Sequence, residues 1–244
     1  MTGLLELRGV WAGYGGSDVL RDLSIAVPEG GITCVVGPNG AGKSTILRVV
    51  SGQLRPRRGS VLFDGRNIAG RSPRQILGLG IVQVAQNHTL FPDMTVRENV
   101  ELGGFVLRDR AEVARRLERL AELFPIVRER ARDKAGSLSG GQQRLVEFAR
   151  CLMLEPRLVV LDEPSMGLDP KTLRLVLLQV RAMWQAGRTV LLVEQNVRAG
   201  LALATHAVVV ESGHVRLEGP GSELRESSEI ENLYLGGGTA SAGH

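Results

Sequence analysis

The chain has few cysteines and histidines, and it has no long apolar run. None of its apolar stretches approaches the roughly 20 residues that a membrane-spanning helix requires. The first residues have neither the basic stretch nor the long apolar core of a secretory signal, so we expect the protein to stay in the cytoplasm. The four histidines are scattered and have no metal-ligand spacing, which argues against a histidine-based metal centre.

The amino-acid composition further limits the classes to which this protein can belong. Cys34 and Cys151 form no CxxC pair and have apolar neighbours, which favours buried free thiols over a disulfide. Of the 244 residues, 43% are hydrophobic and 23% are charged, a balance typical of a globular α/β domain with a sizeable core. The formal charge of +4 would suit a nucleic acid or an acidic membrane surface. We interpret it as a solvated, arginine-rich surface and expect no nucleic-acid partner.

Hydrophobic patterning predicts alternating strands and helices. Residues 4–11 and 19–27 alternate as half-buried strands do, and 61–63 followed by Asp64-Gly65 predict a strand entering a hairpin. Further strands are predicted at 32–36, 81–84, 158–161 and 189–193, and helices at 43–50, 171–186 and 197–204. Continuous apolar strands separated by helices favour a parallel sheet covered on both faces.

Residues 87–155 have a mostly helical pattern. Thr95 with Glu98, and Ser139 with Gln142, match the capping box that begins a helix. The glycine-rich last residues, 236–244, cannot build a core, and we predict a disordered tail there.

A glycine-rich string between a predicted strand and a helix carries the first chemical signal. It fits the pattern G-x-x-x-x-G-K-[ST], in which backbone N–H groups surround phosphate oxygens, lysine adds a charge and the hydroxyl is placed to bind Mg²⁺. The alternative, a chance glycine-rich turn, is weak in this context. The predicted phosphate-binding residues are Gly37, Pro38, Asn39, Gly40, Ala41, Gly42, Lys43, Ser44 and Thr45.

Two carboxylates end a predicted buried strand, at Asp162 and Glu163. Burying charge there is costly unless the groups have partners or a task. Asp162 could hold Mg²⁺, and Glu163 could polarise an attacking water. Taken alone, the pair could equally cap the next segment; the phosphate loop favours the catalytic interpretation.

The string Leu138-Ser139-Gly140-Gly141-Gln142-Gln143-Arg144 resembles the signature motif of ABC ATPases. It is a capped helix start with bare N–H groups suited to an anion, although a lone S-x-x-Q is usually an ordinary cap. The resemblance implies that Ser139, Gly140, Gly141 and Gln142 approach a nucleotide. GTPases and P-loop kinases lack this motif.

The resemblance extends along most of the chain. Tyr14 resembles the aromatic that stacks on adenine, although a strand-end aromatic is an equal alternative. Gln86 resembles the glutamine that touches Mg²⁺ and senses the transmembrane partner, and Leu168-Asp169-Pro170 resembles the loop that crosses the dimer interface.

The family implies a fold and a division of the chain. The implied fold is α/β, a P-loop NTPase (RecA-like) core with an antiparallel β subdomain and a helical signature subdomain. We expect one domain over 1–235, with core and β subdomain at about 1–86 and 156–235 and the helical subdomain at about 87–155.

Three stretches resemble one branch, the ATP-binding subunits (LivF type) of branched-chain amino-acid importers. They are 91–99, 193–196 and Tyr234-Leu235-Gly236-Gly237. Importers of urea and short amides share much of this pattern. Gln195 stands where most ABC ATPases have a histidine at the γ-phosphate. Glutamine can donate a hydrogen bond but carries no charge, so we expect a modest catalytic role, with an ordinary helix-start residue as the alternative.

The resemblance also implies cofactors and partners. We expect ATP and Mg²⁺, a second ABC ATPase subunit completing each ATP site, transmembrane permease subunits, and indirectly a periplasmic or extracellular solute-binding protein. Location at the cytoplasmic face of the membrane follows. The alternatives are a soluble ABC ATPase that moves no solute, in assembly or repair, and a non-catalytic nucleotide sensor.

Overall fold

The computed structural model of the chain describes residues 3–86 and 89–230. Its elements in chain order are β1 (Leu5–Tyr14), β2 (Ser17–Val27), β3 (Ile32–Val36), α1 (Lys43–Val50), β4 (Arg58–Phe63), β5 (Arg66–Asn67), α2 (Pro73–Gly78), β6 (Ile81–Val84), α3 (Val96–Leu102), α4 (Arg110–Leu123), α5 (Ile126–Glu129), a 3₁₀ turn (Ala135–Ser137), α6 (Gly140–Leu152), β7 (Leu158–Asp162), α7 (Pro170–Gln185), β8 (Thr189–Glu194), α8 (Val197–Leu203), β9 (His206–Glu211), β10 (His214–Pro220) and α9 (Gly221–Arg225).

The described residues form two compact units. Unit 1 contains 3–50, 54–70 and 191–230, and unit 2 contains 51–53, 71–86 and 89–190. The domain boundaries predicted near 86 and 155 stay a prediction. The predicted tail at 236–244, and the string at 234–237, lie outside the described residues.

Unit 1 contains a four-stranded antiparallel sheet in the order β2-β1-β4-β5. Leu5 lies opposite Val27, so the two alternating stretches predicted as strands pair with each other. The predicted hairpin is confirmed: Phe63 pairs with Arg66 across a tight turn. Asp64 and Gly65 both have positive φ, 51° and 70°, as the favoured two-residue hairpin turn requires.

Unit 1 also contains strands in the order β10-β9-β3-β8. β3 runs parallel to β9, and all five of its residues are buried. α8 lies close to β3 because residue 200 is glycine: a Cβ there would lie 2.7 Å from the Cys34 Sγ. β9 and β10 form an antiparallel pair that the sequence analysis did not predict.

Unit 2 combines a parallel pair of strands with helices. β6 and β7 are in register from Ile81 opposite Leu158, as expected for continuous apolar strands. The capping boxes predicted at Thr95 and Ser139 are both present and begin α3 and α6. Among residues 3–86 and 89–230, no helix combines the length and apolar character needed to cross a membrane.

Both cysteines are free thiols, as predicted. Burial raises the pKa of the Cys34 thiol well above its usual value, and the nearby Glu194 carboxylate adds to the effect. Cys151 is half-buried, and desolvation raises its pKa to about 12. A thiol must lose its proton to act as a nucleophile, so both groups are protected at neutral pH.

We therefore predict that the folded protein reacts slowly with iodoacetamide at pH 8. A pKa of about 12 leaves roughly one Cys151 in ten thousand as thiolate at that pH. Labelling should accelerate as the pH rises toward that value. Mass spectrometry of the intact chain measures the extent of labelling. The same chain unfolded in guanidinium is the control and should label at both cysteines within minutes; rapid labelling of the folded protein at pH 8 would contradict the burial described here.

Candidate active site

The predicted phosphate loop connects β3 to α1 within unit 1. The loop closes on itself through the Ala41 N–H, which donates to the Pro38 carbonyl at 3.2 Å. Position 37 must be glycine because a Cβ there would lie 2.2 Å from the Val210 carbonyl oxygen. Gly42 has a φ of 107°, which side-chain-bearing residues rarely adopt. The glycine spacing in the sequence thus has a steric cause.

Lys43 is the first residue of α1 and is only 5% exposed. A buried ammonium requires oxygen partners. Its Nζ donates to the carbonyl oxygens of Gly37 at 2.9 Å and Pro38 at 3.1 Å, so the loop backbone holds it in place. Ser44 is exposed and Thr45 is buried. An exposed hydroxyl and a held ammonium at the start of an eight-residue helix suit a phosphate ligand.

Tyr14 ends β1 and is 45% exposed. Its hydroxyl accepts a hydrogen bond of 2.8 Å from the Arg48 Nη1, and the guanidinium carbon lies 5.5 Å from the ring centroid. Arg48 is not among the site residues predicted from the sequence. Its contact with Tyr14 is between α1 and β1, and no local pattern signals it. The guanidinium orients the ring that the resemblance assigns to adenine.

Gln195 follows β8 on unit 1 and is exposed. The next residue, Asn196, caps α8 by accepting from the Ala199 N–H at 3.1 Å. Gln195 therefore lies just before a helix start, and the capping task belongs to its neighbour. The exposed side-chain amide of Gln195 is therefore available to bind a ligand.

On unit 2, Asp162 ends β7 and Glu163 follows it. Glu163 is 8% exposed and has a φ of 44°, a strained conformation for this residue type and one that is concentrated at functional sites. The Gln86 Nε2 lies 3.4 Å from a Glu163 carboxylate oxygen and 2.9 Å from the Met166 Sδ. The structure thus brings together two predicted site residues, and it adds Met166, which the sequence analysis missed.

The signature string begins α6. The Ser139 N–H donates to the Gln142 side chain at 3.0 Å, and the Ser139 hydroxyl accepts from the Gln142 N–H at 3.4 Å. Gly141 lies against α7: a Cβ there would be 2.1 Å from the Thr172 Cγ2. Glycine at this position therefore permits a close approach of two helices.

Asp169 caps α7 and accepts from the N–H groups of Lys171 at 2.9 Å and Thr172 at 3.1 Å. Hydrogen bonds from the Thr172 hydroxyl and N–H hold the pKa of this carboxyl below its usual value. The Leu168-Asp169-Pro170 string is therefore a firmly capped helix start.

Unit 2 also has an open cleft of about 440 Å³ lined by residues of α4, α6 and α7. Its apolar lining includes Leu120, Leu152 and Met183, and none of the predicted site residues lines it. Two of its arginines are held by ion pairs, since Glu155 contacts Arg116 at 3.1 Å and Arg119 at 2.8 Å. We therefore do not assign the chemistry to this cleft.

Known proteins similar to this chain identify its family. The family model described as ABC transporter matches residues 20–166. The chain is 36% identical over 234 residues to the high-affinity branched-chain amino acid transport ATP-binding protein BraG of Pseudomonas aeruginosa, covering 96% of this chain and 100% of that protein. It is 34% identical to the probable branched-chain amino acid transport ATP-binding protein LivF of Archaeoglobus fulgidus, covering 92% and 95%.

A crystal structure of an ATP-binding cassette of an ABC transporter, in its ADP conformation, superimposes with a TM-score of 0.88. It is 28% identical and covers 97% of this chain and all of that one. The phosphate loop on an α/β scaffold, with an antiparallel sheet and a helical segment, defines a P-loop NTPase, as the sequence predicted. The chain belongs to the ABC transporter family and is one of its ATP-hydrolysing ATP-binding cassettes.

We predict that Gly37→Ala disrupts the phosphate loop. The added Cβ would overlap the Val210 carbonyl oxygen, and relieving such overpacking costs about 1–3 kcal/mol. The free energy of unfolding should fall by that amount, and ATP binding measured by calorimetry should weaken. Gly16→Ala is the control because a Cβ there has nothing within 4 Å. Equal stability and affinity of the two variants would show that the loop is not so confined.

Proposed function

We propose that this chain powers the import of branched-chain amino acids or related small polar solutes through separate permease subunits. The observation that carries the catalytic part is the contact of Gln86 with the buried, strained Glu163 at 3.4 Å. Similarity to BraG and LivF over nearly their whole lengths supports the solute class. The chain would act at the cytoplasmic face of the membrane, as a peripheral subunit.

Each predicted residue takes a role that its surroundings suit. The Lys43 ammonium would bind the β- and γ-phosphates, exchanging loop carbonyls for phosphate oxygens. Glu163 would accept a hydrogen bond from the attacking water and orient it, since its carboxylate is fixed at the strand end. Tyr14 would stack on adenine, and Gln195 would donate a hydrogen bond to the γ-phosphate. The remaining N–H groups of 37–45 would surround the phosphates.

Ser44, Gln86 and Asp162 would hold Mg²⁺. A hydroxyl, an amide oxygen and a carboxylate are the hard oxygen donors that Mg²⁺ prefers alongside substrate phosphates. When bound, the ion neutralises charge on the phosphates.

A second ABC ATPase subunit would complete each ATP site. Ser139, Gly140, Gly141 and Gln142 form the capped start of α6. The positive end of the helix dipole lies there, so this end suits the γ-phosphate of a nucleotide held by the partner. Branched-chain importers usually combine two different ATPase subunits, so we propose a heteromeric pair. A solute-binding protein outside the membrane would act indirectly, through the permeases.

The permease would dock on unit 2, in the helical segment. An apolar groove of about 230 Å³ lies there, and Phe105 beside it is 69% exposed. Leu102 and Val106 are also exposed, at 37% and 48%, and contiguous exposed apolar groups mark interaction surfaces. The groove is lined by Leu77, Val82, Leu102, Gly103, Phe105, Arg150, Cys151 and Leu154.

Two substitutions separate binding from turnover. Lys43→Ala removes a charged hydrogen-bond donor and should weaken ATP binding about 10- to 100-fold. Glu163→Gln keeps the shape of the side chain but not its basicity, so it should bind ATP normally and lose about 10²–10⁴-fold in turnover. Calorimetric ATP binding and phosphate release measure the two effects, with the exposed Glu122→Gln as control. Loss of ATP binding in Glu163→Gln would contradict the role assigned to Glu163.

Co-purification tests the transport proposal. Tagged Glu163→Gln protein with ATP and Mg²⁺ in detergent extracts of its native cell should retain permeases and a second ATPase subunit, identified by mass spectrometry. Adding Phe105→Ser should reduce permease recovery several-fold because it makes the groove polar. Leu178→Ser, a 58% exposed residue on α7 away from the groove, should not. Recovery of soluble partners alone, with ATP bound, would favour the non-transport alternative.

A further inference from the structure

Three charged side chains of α6 lie one turn apart on the same face of the helix: Arg144, Glu147 and Arg150. Arg144 and Glu147 are 4% and 1% exposed, and they form an ion pair of 3.0 Å. At the surface such spacing would be an ordinary helix ion pair. Burial of both charges is what sets this pair apart, because removing two charges from water is rarely offset by their attraction alone.

The three side chains bind the backbone on both sides of Gln86. The Arg144 guanidinium donates to the carbonyl oxygens of Ala85 at 2.7 Å and Gln86 at 2.6 Å. The Glu147 carboxylate accepts from the Thr89 N–H at 2.5 Å. Arg150 donates to the Thr89 carbonyl at 2.8 Å and also contacts the Thr89 hydroxyl.

These bonds connect Gln86 to the signature motif through one rigid element. Ser139 caps α6, and Arg144 follows on its second turn, so a shift of the backbone at 85–86 is carried to the cap by a hydrogen-bonded helix. Gln86 itself contacts Glu163, so its position reports on the catalytic carboxylate of its own ATP site. The signature motif, by contrast, serves the ATP held by the other subunit.

We propose that Arg144, Glu147 and Arg150 couple the two ATP sites of the assembled pair, by making α6 move with the segment that carries Gln86. This inference rests on the proposed function, since it requires each ATP site to be completed by the second subunit. Occupancy of one site would then change the affinity or activity of the other, and the effect would appear as cooperativity in ATP hydrolysis.

The test is the ATP dependence of hydrolysis by the purified complex containing its permeases and second ATPase subunit. Glu147→Gln keeps an acceptor for the Thr89 N–H but removes the charge that Arg144 pairs with. Arg144→Lys keeps the charge but cannot bind two carbonyls with one planar group. Arg97→Lys and Glu101→Gln are the matched controls, because that pair is exposed and lies on α3 at 2.8 Å.

We expect a Hill coefficient near 2 for the wild type and the controls, the limit for two sites, and near 1 for Arg144→Lys and Glu147→Gln. ATP binding to the isolated chain should change less than about threefold, which a general loss of structure would not allow. Arg150→Lys, which is less buried, provides the measurement if the two buried variants do not fold. Because Arg150 also lines the groove proposed for the permease, its complex must retain the permease at the wild-type level.

The experiment distinguishes a failure of the coupling role from a failure of the proposed function. Folded variants that retain the wild-type Hill coefficient, even with a lower maximal rate, would overturn the coupling role and leave the proposed function intact. A wild-type Hill coefficient of 1 would instead argue against the pair of interdependent ATP sites itself, and the coupling inference would fall with it.

Discussion

The burial of the Lys43 ammonium is the constraint on which the phosphate loop depends. An ammonium that is 5% exposed must be surrounded by oxygen atoms, and here these come from the carbonyls of Gly37 and Pro38. The loop can supply them only if its backbone curls tightly, which requires glycine at 37 and 42. The glycine pattern therefore follows from the need to surround a buried charge with oxygen atoms. The buried strand β3 and the helix start at Lys43 hold the two ends of this loop.

Unit 2 also contains buried charges, and these are of both signs. Glu163 is buried at the end of β7, and Arg144 and Glu147 are buried within α6. Each of the three charged groups is held by hydrogen bonds, and each has a partner at residue 85, 86 or 89. Glu163 and α6 thus both contact the backbone or side chains of this part of the chain, and Gln86 is a partner of both.

Local signals predicted the local structure well. Residues 32–36 and 43–50 form the strand and the helix that their patterns indicated, and the two capping boxes begin α3 and α6 where Thr95 and Ser139 placed them. These features depend on side chains within four residues of each other, so the chain itself contains the information. β9 was missed although 207–210 is a continuous apolar run, and α2 was missed despite its Ser72 cap.

Contacts between distant elements could not be predicted in this way. Arg48 meets Tyr14 across 34 residues, and Gln86 meets Glu163 across 77. The spacing of Arg144 and Glu147 is compatible with an exposed helix pair, and nothing nearby in sequence indicates that both are buried. Motif chemistry predicts the residues of the site, whereas packing decides which of them are in contact.

The closeness of Gly141 to Thr172 has a consequence for how such sequences can diverge. A methyl group added at 141 would overlap the Thr172 Cγ2, whereas serine at 172 lacks that carbon and retains the hydroxyl and the N–H that bind Asp169. A side chain at 141 therefore becomes sterically possible once 172 has become smaller. Substitutions at 141 and 172 should therefore be correlated among relatives of this chain, and the change at 172 should precede the change at 141.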